Sequence, residues 1–384
     1  MDRRSFVKAG CLGSASLLIQ GLDPMVRAES LPAVPPIELH PLPGYTPSPL
    51  KMPGLFPGRV VEVRDSKAIA RNRVSQPIVR RLLEQGITEL TGEKSARDAW
   101  AKFVEPKDVV GIKINPSGAP ACCSSPELIR EIIASIREIG VPSRNILVYD
   151  RYSYEMDIGG YQALLPTAIR IVGIQDAFTS GIAGYEPSVY CDANFFGEWE
   201  TRSYMARIVS HEITKIINVP TMKDHSASGV TGALKNLAYG TFNNVARTHQ
   251  APYTFTNPLI GLMCTVEPLR SKAVLHIMDG MRQVWHGGPL TQVQDFIDQA
   301  GILMVATDPV AMDTVELEAL EQKRREHGAP SLWDHDEKSI TPDSNVFFHD
   351  ASKNLFFRQP GHVAAAGKLG LGISDLKQID HRFL

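Results

Sequence analysis

Cysteine is scarce: there are five in 384 residues, and no two are spaced CxxC. That removes the ligand spacing of a zinc ribbon and argues against an intrinsic iron–sulfur cluster. Charge of one sign is also lacking. The net charge is −2 and aromatics make up 7%, with no interleaving of aromatic and basic residues. There is no electrostatic case for nucleic acid or for an anionic membrane. The common catalytic signatures are missing too: no GxGxxG follows a strand, and GxxxxGK[ST], GxSxG and HExxH do not occur. His211 and Glu212 lack a second histidine four residues on. No internal repeat and no clean linker divide the chain.

What is present reads as an ordinary globular protein, 43% hydrophobic and 21% charged, long enough to bury a large core. The N-terminus, MDRRSFVKAGCLGSASLLIQGLDPMVRA, has Arg3 and Arg4, then an apolar stretch from Ala9 to Leu22, then a cleavage position after Ala28. Charged, apolar and small segments in that order are the layout of a secretory signal. The apolar part is short of the ~20 residues of a membrane span. The paired arginines, with Phe6 two positions on, resemble a twin-arginine export signal. Residues 1–28 are therefore expected to be removed on export to the periplasm or beyond, leaving no stable membrane anchor. The export machinery is the implied partner. This route carries folded chains, which suits a cofactor taken up before export.

Residues 29–58 form a proline-dense leader, unfit for a continuous helix. From Val60 short β-branched runs appear: RVVEVRD, DVVGIKIN, NILVYDR, IRIVGIQD, KIINVP, AVLHIMDG and GILMVATD. Several are almost continuously apolar, as strands covered on both faces are. Helical patterns alternate with them. In SSPELIREIIASIREIG, Ser124 and Glu127 are spaced as a capping box, and Gly140 ends the helix. In DPVAMDTVELEALEQKRREHG, Arg324, Arg325 and His327 suit the last turn, and Gly328 closes it. The expectation is an α/β fold: a mostly parallel sheet with helices on both faces, in a single elaborated domain over 59–330. Residues 331–384 are read as an irregular extension of that domain. Met278 and Met281 read as core. Adjacent Cys122 and Cys123 seldom pair with each other, so buried thiols or a disulfide to a distant partner are expected.

Parallel sheets bind ligands at strand carboxyl ends. Polar groups recur there: Lys113 and Asn115, Asp150 and Arg151, Asp279 followed by His286, and Asp308 followed by Asp313. The densest run is NVPTMKDHSASGVTGALKNLAYGT. In an extended segment Lys223 and His225 point one way and Asp224 the other. Thr231 is an N-cap candidate for the helix GALKNLA, whose start, with Lys223 and Lys235, makes an anion site. Arg247 and His249 follow in a loop placed to cover it. In WDHDEK, Asp334, His335, Asp336 and Glu337 read as a solvated loop.

This run resembles the signature of the domain of unknown function 362 family: Lys223-x-His225, then Thr231-Gly232-x-x-Lys235-Asn236. GIKINPSG followed by SSPELI, ILVYDR, IMDGMRQVWHGGP and ATDPVAMDTV resemble further family motifs, in order, across roughly 60–320. Some members carry cysteine-rich ferredoxin-like segments. This chain departs from them, and the family name confers no reaction.

Two uses of these residues stand open. In the first, the protein is an exported enzyme for a small anionic substrate. Lys113, Asn115, Lys223, Thr231, Lys235 and Asn236 bind the substrate, and His225 or His286 moves a proton. Asp150, Asp279, Asp308 and Asp313 orient these groups or bind a divalent metal. In the second, the same residues serve a non-catalytic periplasmic binding protein for an anion or metal complex.

Overall fold

A computed structural model of the chain describes residues 33–175, 182–249, 254–336 and 358–384. Residues 1–28, expected to be an export signal, and Glu337 lie outside the described residues. Ten strands form the main sheet: β1 Arg59–Arg64, β2 Val110–Lys113, β3 Ile146–Tyr152, β4 Arg170–Gln175, β5 Lys215–Asn218, β6 Thr221–His225, β7 Gly229–Val230, β8 Ala273–Val284, β9 Ile297–Ala306 and β10 Asp380–Phe383. The order across it is β10, β1, β9, β8, β5, β2, β3, β4. Along this path only β9 is reversed, antiparallel to β8 and to β1. β6 pairs with β8 beyond the point where β5 leaves it, and β7 folds back on β6.

The pleat sorts the strand residues between two cores. Ile146 and Val148 face helices α1 Gln76–Thr91 and α2 Pro126–Ile139. Leu147 and Tyr149 face the opposite core, with α3 Gly232–Thr241, α4 Thr256–Thr265 and α5 Pro309–Glu326. The expected α/β architecture, with helices on both faces of a mostly parallel sheet, is the one found. Met278 and Met281 are core residues, fully buried. Cys122, Cys123, Cys191 and Cys264 are buried free thiols.

Chain order explains where a site can form. From β2 the chain steps outward to β3 and β4, then returns to lay β5 on the other side of β2. The strand order therefore reverses between β2 and β5, and neighbouring loops diverge there and leave a crevice.

Two local expectations are corrected. The capping box of α2 does not form. Ser125 takes the N-cap position without a side-chain bond, and Asp279 from β8 accepts its backbone N–H at 2.6 Å. Ser124 Oγ instead accepts from the Asn115 N–H at 2.8 Å and donates to the Val219 carbonyl at 2.7 Å, joining β2 to β5's exit. Arg324 lies in the last turn of α5, as expected. It is fully buried and donates to the carbonyls of Pro330 and Trp285 at 2.7 and 3.0 Å. The tail is not irregular throughout: helix α6, His362–Lys368, packs near α4, and β10 pairs parallel with β1 at the sheet edge.

Asp308 is the N-cap of α5. Its carboxylate accepts the N–H groups of Ala311, Gly58 and Ile373 at 2.8, 2.9 and 3.0 Å, so one side chain ties a helix start to two loops. Asp308→Ala is expected to cost about 2–4 kcal/mol, more than an ordinary cap loss, because three donors are orphaned. A fall in the urea midpoint at unchanged m-value measures it.

Candidate functional site

The crevice between β2 and β5 is filled by α3, and every residue of α3 is buried. A short helix enclosed on all sides must have its free N–H groups satisfied from inside the protein. Thr231 does not do this. It occupies the cap position with a helical backbone, and its hydroxyl makes no hydrogen bond among the described residues. Asp313 of α5 caps the helix, accepting the N–H groups of Ala233 and Leu234 at 2.5 and 3.0 Å. Gly232 is required here, since a β-carbon would overlap the Asp313 carboxylate and its φ is +57°. The helix start is thus occupied by the protein's own carboxylate and is not open to an anion. Burial raises the pKa of Asp313 and of Glu316, one turn further on, and Glu316 Oε1 accepts the Lys223 backbone N–H at 2.9 Å.

From the middle of α3, Asn236 meets the strand ends. Its Oδ1 accepts Lys113 Nζ and Asn115 Nδ2, both at 3.0 Å, and its Nδ2 donates to Asn218 Oδ1 at 2.8 Å. Lys113 has no donor left over: its ammonium also donates to the Ile114 carbonyl at 2.6 Å and pairs with Asp150 at 2.5 Å. Gly240 of α3 leaves room for that pair, because a β-carbon there would overlap Lys113 and Asp150. Lys113, expected to bind substrate, is therefore fully engaged in the protein. Lys223 keeps one donor. Its ammonium gives two bonds, to Asn115 Oδ1 at 2.7 Å and the Ser117 carbonyl at 2.6 Å.

Lys235 is different. It is only 8% exposed, yet its amine makes no hydrogen bond or ion pair among the described residues. Its ammonium stands 4.6 Å from the centre of the Tyr239 ring, one helical turn on. Burial, then the charges of Lys223, Lys113 and Arg151, bring its pKa down to about 7, with Glu155 opposing. Glu155 is held in place by Ser117 Oγ at 2.8 Å.

His225 lies on the same side of β6 as Lys223. Its Nδ1 accepts the backbone N–H groups of Ala227 and Ser228 at 3.0 and 3.4 Å. Burial, then Lys235 and His249, hold its pKa well below the usual histidine value. The ring is neutral, and with Nδ1 accepting, the proton sits on Nε2. His225 is thus a fixed N–H donor. The expected acid–base role narrows to hydrogen-bond donation. The His249 ring stands 5.4 Å from His225 and 5.2 Å from Tyr239. Arg247, expected beside it, instead binds the carbonyls of Ala193 and Thr201 at 2.7 and 2.6 Å.

Asp224 faces the other way, as the strand alternation requires. Arg358 grips it with bonds of 3.0 and 2.9 Å, and Arg324 lies 3.7 Å away. Burial works against its ionisation, but the two arginines outweigh it and hold the carboxylate below its usual range. His286 belongs to this cluster. Its Nδ1 faces Arg324 at 2.9 Å, so it does not join His225. The Gln359 N–H donates to the Ala227 carbonyl at 2.8 Å, laying the segment that begins at Arg358 across the loop after His225.

The structure therefore brings together Lys113, Asn115, Asp150, Lys223, His225, Lys235 and Asn236. It does not bring the four aspartates together. Asp279, Asp308 and Asp313 each serve backbone N–H groups at a different helix start. Among the described residues no three metal-ligating side chains stand close enough to share an ion. Strand-end reasoning missed Ser117, Glu155 and Tyr239. Only Tyr239 had a readable signal, its spacing of four from Lys235.

The sequence model of the domain of unknown function (DUF362) family matches residues 110–318, and the chain belongs to that family. The match spans Lys113 to Asp313. No curated relative matches the chain. A crystal structure of a protein from Thermotoga maritima is similar over 65% of this chain at 9% identity and a TM-score of 0.36. The chain covers 58% of that protein.

Two outcomes follow from the packing. Gly240→Ala is expected to destabilise by about 2 kcal/mol, the reverse of the usual gain in a helix, because the new methyl displaces a fully bonded ammonium. Chemical denaturation reads the sign. Lys235 gives a pH signature. Between about 7, its folded pKa, and 10.5, its ordinary value, the unfolded chain binds a proton that the folded chain does not. Stability from this group therefore rises with pH across that window. Lys235→Met should remove that part of the slope and stabilise the free protein at pH 7 by on the order of 3 kcal/mol. Unfolding curves at pH 7 and pH 10 check both.

Proposed function

We propose that this protein is an exported enzyme acting on a small anionic substrate at the carboxyl ends of β2, β3 and β6. The observation that carries this reading is Lys235: a buried amine without a hydrogen-bond or ion-pair partner among the described residues, set among Lys223, Lys113 and Arg151. Asp150 and Glu155 oppose these cations, and Asp150 is committed to Lys113. Surplus buried positive charge costs folding free energy until an anion enters.

The donors suit an anion. Lys223 has one N–H to give, and His225 offers Nε2–H from a ring locked in orientation. An amine near pH 7 favours catalysis over storage, since it exchanges its proton at working pH. A permanently charged lysine would serve binding alone. The paired Arg3 and Arg4 and the apolar stretch behind them support export by the twin-arginine route.

Thermal unfolding with phosphate, sulfate and propanoate at pH 6.5 and 8.5 tests this. At least one anion is expected to raise the midpoint by on the order of 5 °C at 100 times its Kd. The shift should shrink at pH 8.5, where Lys235 has lost its proton, and vanish in Lys235→Met and Lys223→Met. Equal, negligible shifts in all three proteins would sink the reading.

A further inference from the structure

Lys235 is more than a cation in a cationic place. An ammonium meant only to hold a charge is normally given acceptors, as Lys113 and Lys223 are. Lys235 is given none among the described residues, only a tyrosine face and the vicinity of two neutral imidazoles. That environment favours a free amine, and a free, buried amine beside other cations is a nucleophile. His225 supplies the complement. Its neutral Nε2–H cannot easily accept a proton, because Nδ1 is already bonded to two backbone N–H groups. It is built to donate to an oxygen that gains negative charge. Lys223, with one donor free, and Arg151 supply the positive charge for a carboxylate.

We infer that Lys235 condenses with the carbonyl of a small oxo acid to form a Schiff base, with Lys223 and Arg151 holding the carboxylate and His225 polarising the carbonyl oxygen. The inference rests on the anion-site reading and names the substrate class. The amine lone pair forms the C–N bond, and the carbonyl π pair moves onto oxygen, where His225 Nε2–H meets it. One amine proton passes to that oxygen, giving a carbinolamine. The hydroxyl then leaves with the second amine proton as water, and the nitrogen lone pair closes the C=N bond. No oxidant, reductant or metal is needed. The imine draws electrons from the neighbouring carbon, which fits reactions that make or break a bond there.

Reductive trapping tests it. The full chain is incubated at pH 7 with glyoxylate, pyruvate or 2-oxoglutarate and sodium cyanoborohydride, then weighed intact and mapped as peptides. The expected result is one reduced adduct per chain, on Lys235, with at least one of the three acids. Propanoate, which has the carboxylate and no carbonyl, should slow labelling several-fold. Lys235→Arg should abolish it at a near-UV circular dichroism spectrum like that of the parent. Labelling spread over surface lysines, or no adduct with any of the three, overturns the inference without relying on a variant. If propanoate still raises the thermal midpoint in that case, the anion site stands and only the carbonyl chemistry is lost. If propanoate, phosphate and sulfate all fail to shift it, both fall.

Discussion

A single buried amide, Asn236, sets the geometry on which the site depends. It takes one hydrogen bond from Lys113, one from Asn115 and gives one to Asn218. Those partners sit at the ends of two neighbouring strands, so one side chain fixes the central helix against the point where strand order reverses. In a dry interior such a network is strong when complete and costly when broken. Lys113 is held on three sides, which frees it from any ligand and makes it part of the wall. Asn115 in turn holds Lys223. The orientation of the groups near Lys235 thus follows from one residue that need never touch a ligand.

The same economy governs the carboxylates. A parallel sheet with enclosed helices creates many free N–H groups far from water. Asp279 and Asp313 answer them from a neighbouring strand and a neighbouring helix, and Asp308 caps its own helix while holding two loops to it. These negative charges are spent on backbone dipoles. That leaves the crevice with lysines and few acids, which is why it is cationic although the chain as a whole carries −2.

Much of this was legible in the sequence. The strands stood out because burial on both faces makes them continuous apolar runs, as in ILVY and GILMVA. The opposite facing of Asp224 and His225 followed from the two-residue pleat. The roles of the aspartates did not follow. An aspartate after a strand looks the same whether it caps a helix or awaits a metal. Only the position of the nearest N–H groups decides, and that is set by chain far away in sequence. Thr231 failed as a cap for the same reason: Asp313, a stronger acceptor, reaches the same N–H groups from α5. Glu155 carried no local signal, because its helix is placed by β3 and β4 rather than by its own pattern. The tautomer of His225 needed the turn at Ala227 and Ser228, which no spacing rule encodes.

The grip of Arg358 on Asp224 spans 134 residues of sequence. Asp224 lies between Lys223 and His225, so the strand that presents both is anchored by a segment far along the chain. A chain without residues 358–384 lacks that anchor and the edge strand β10 as well. Assembly of the crevice therefore depends on the slow closure of a long loop. Loss of residues 358–384 by proteolysis would, for the same reason, disable the centre of the molecule before it loosened the periphery.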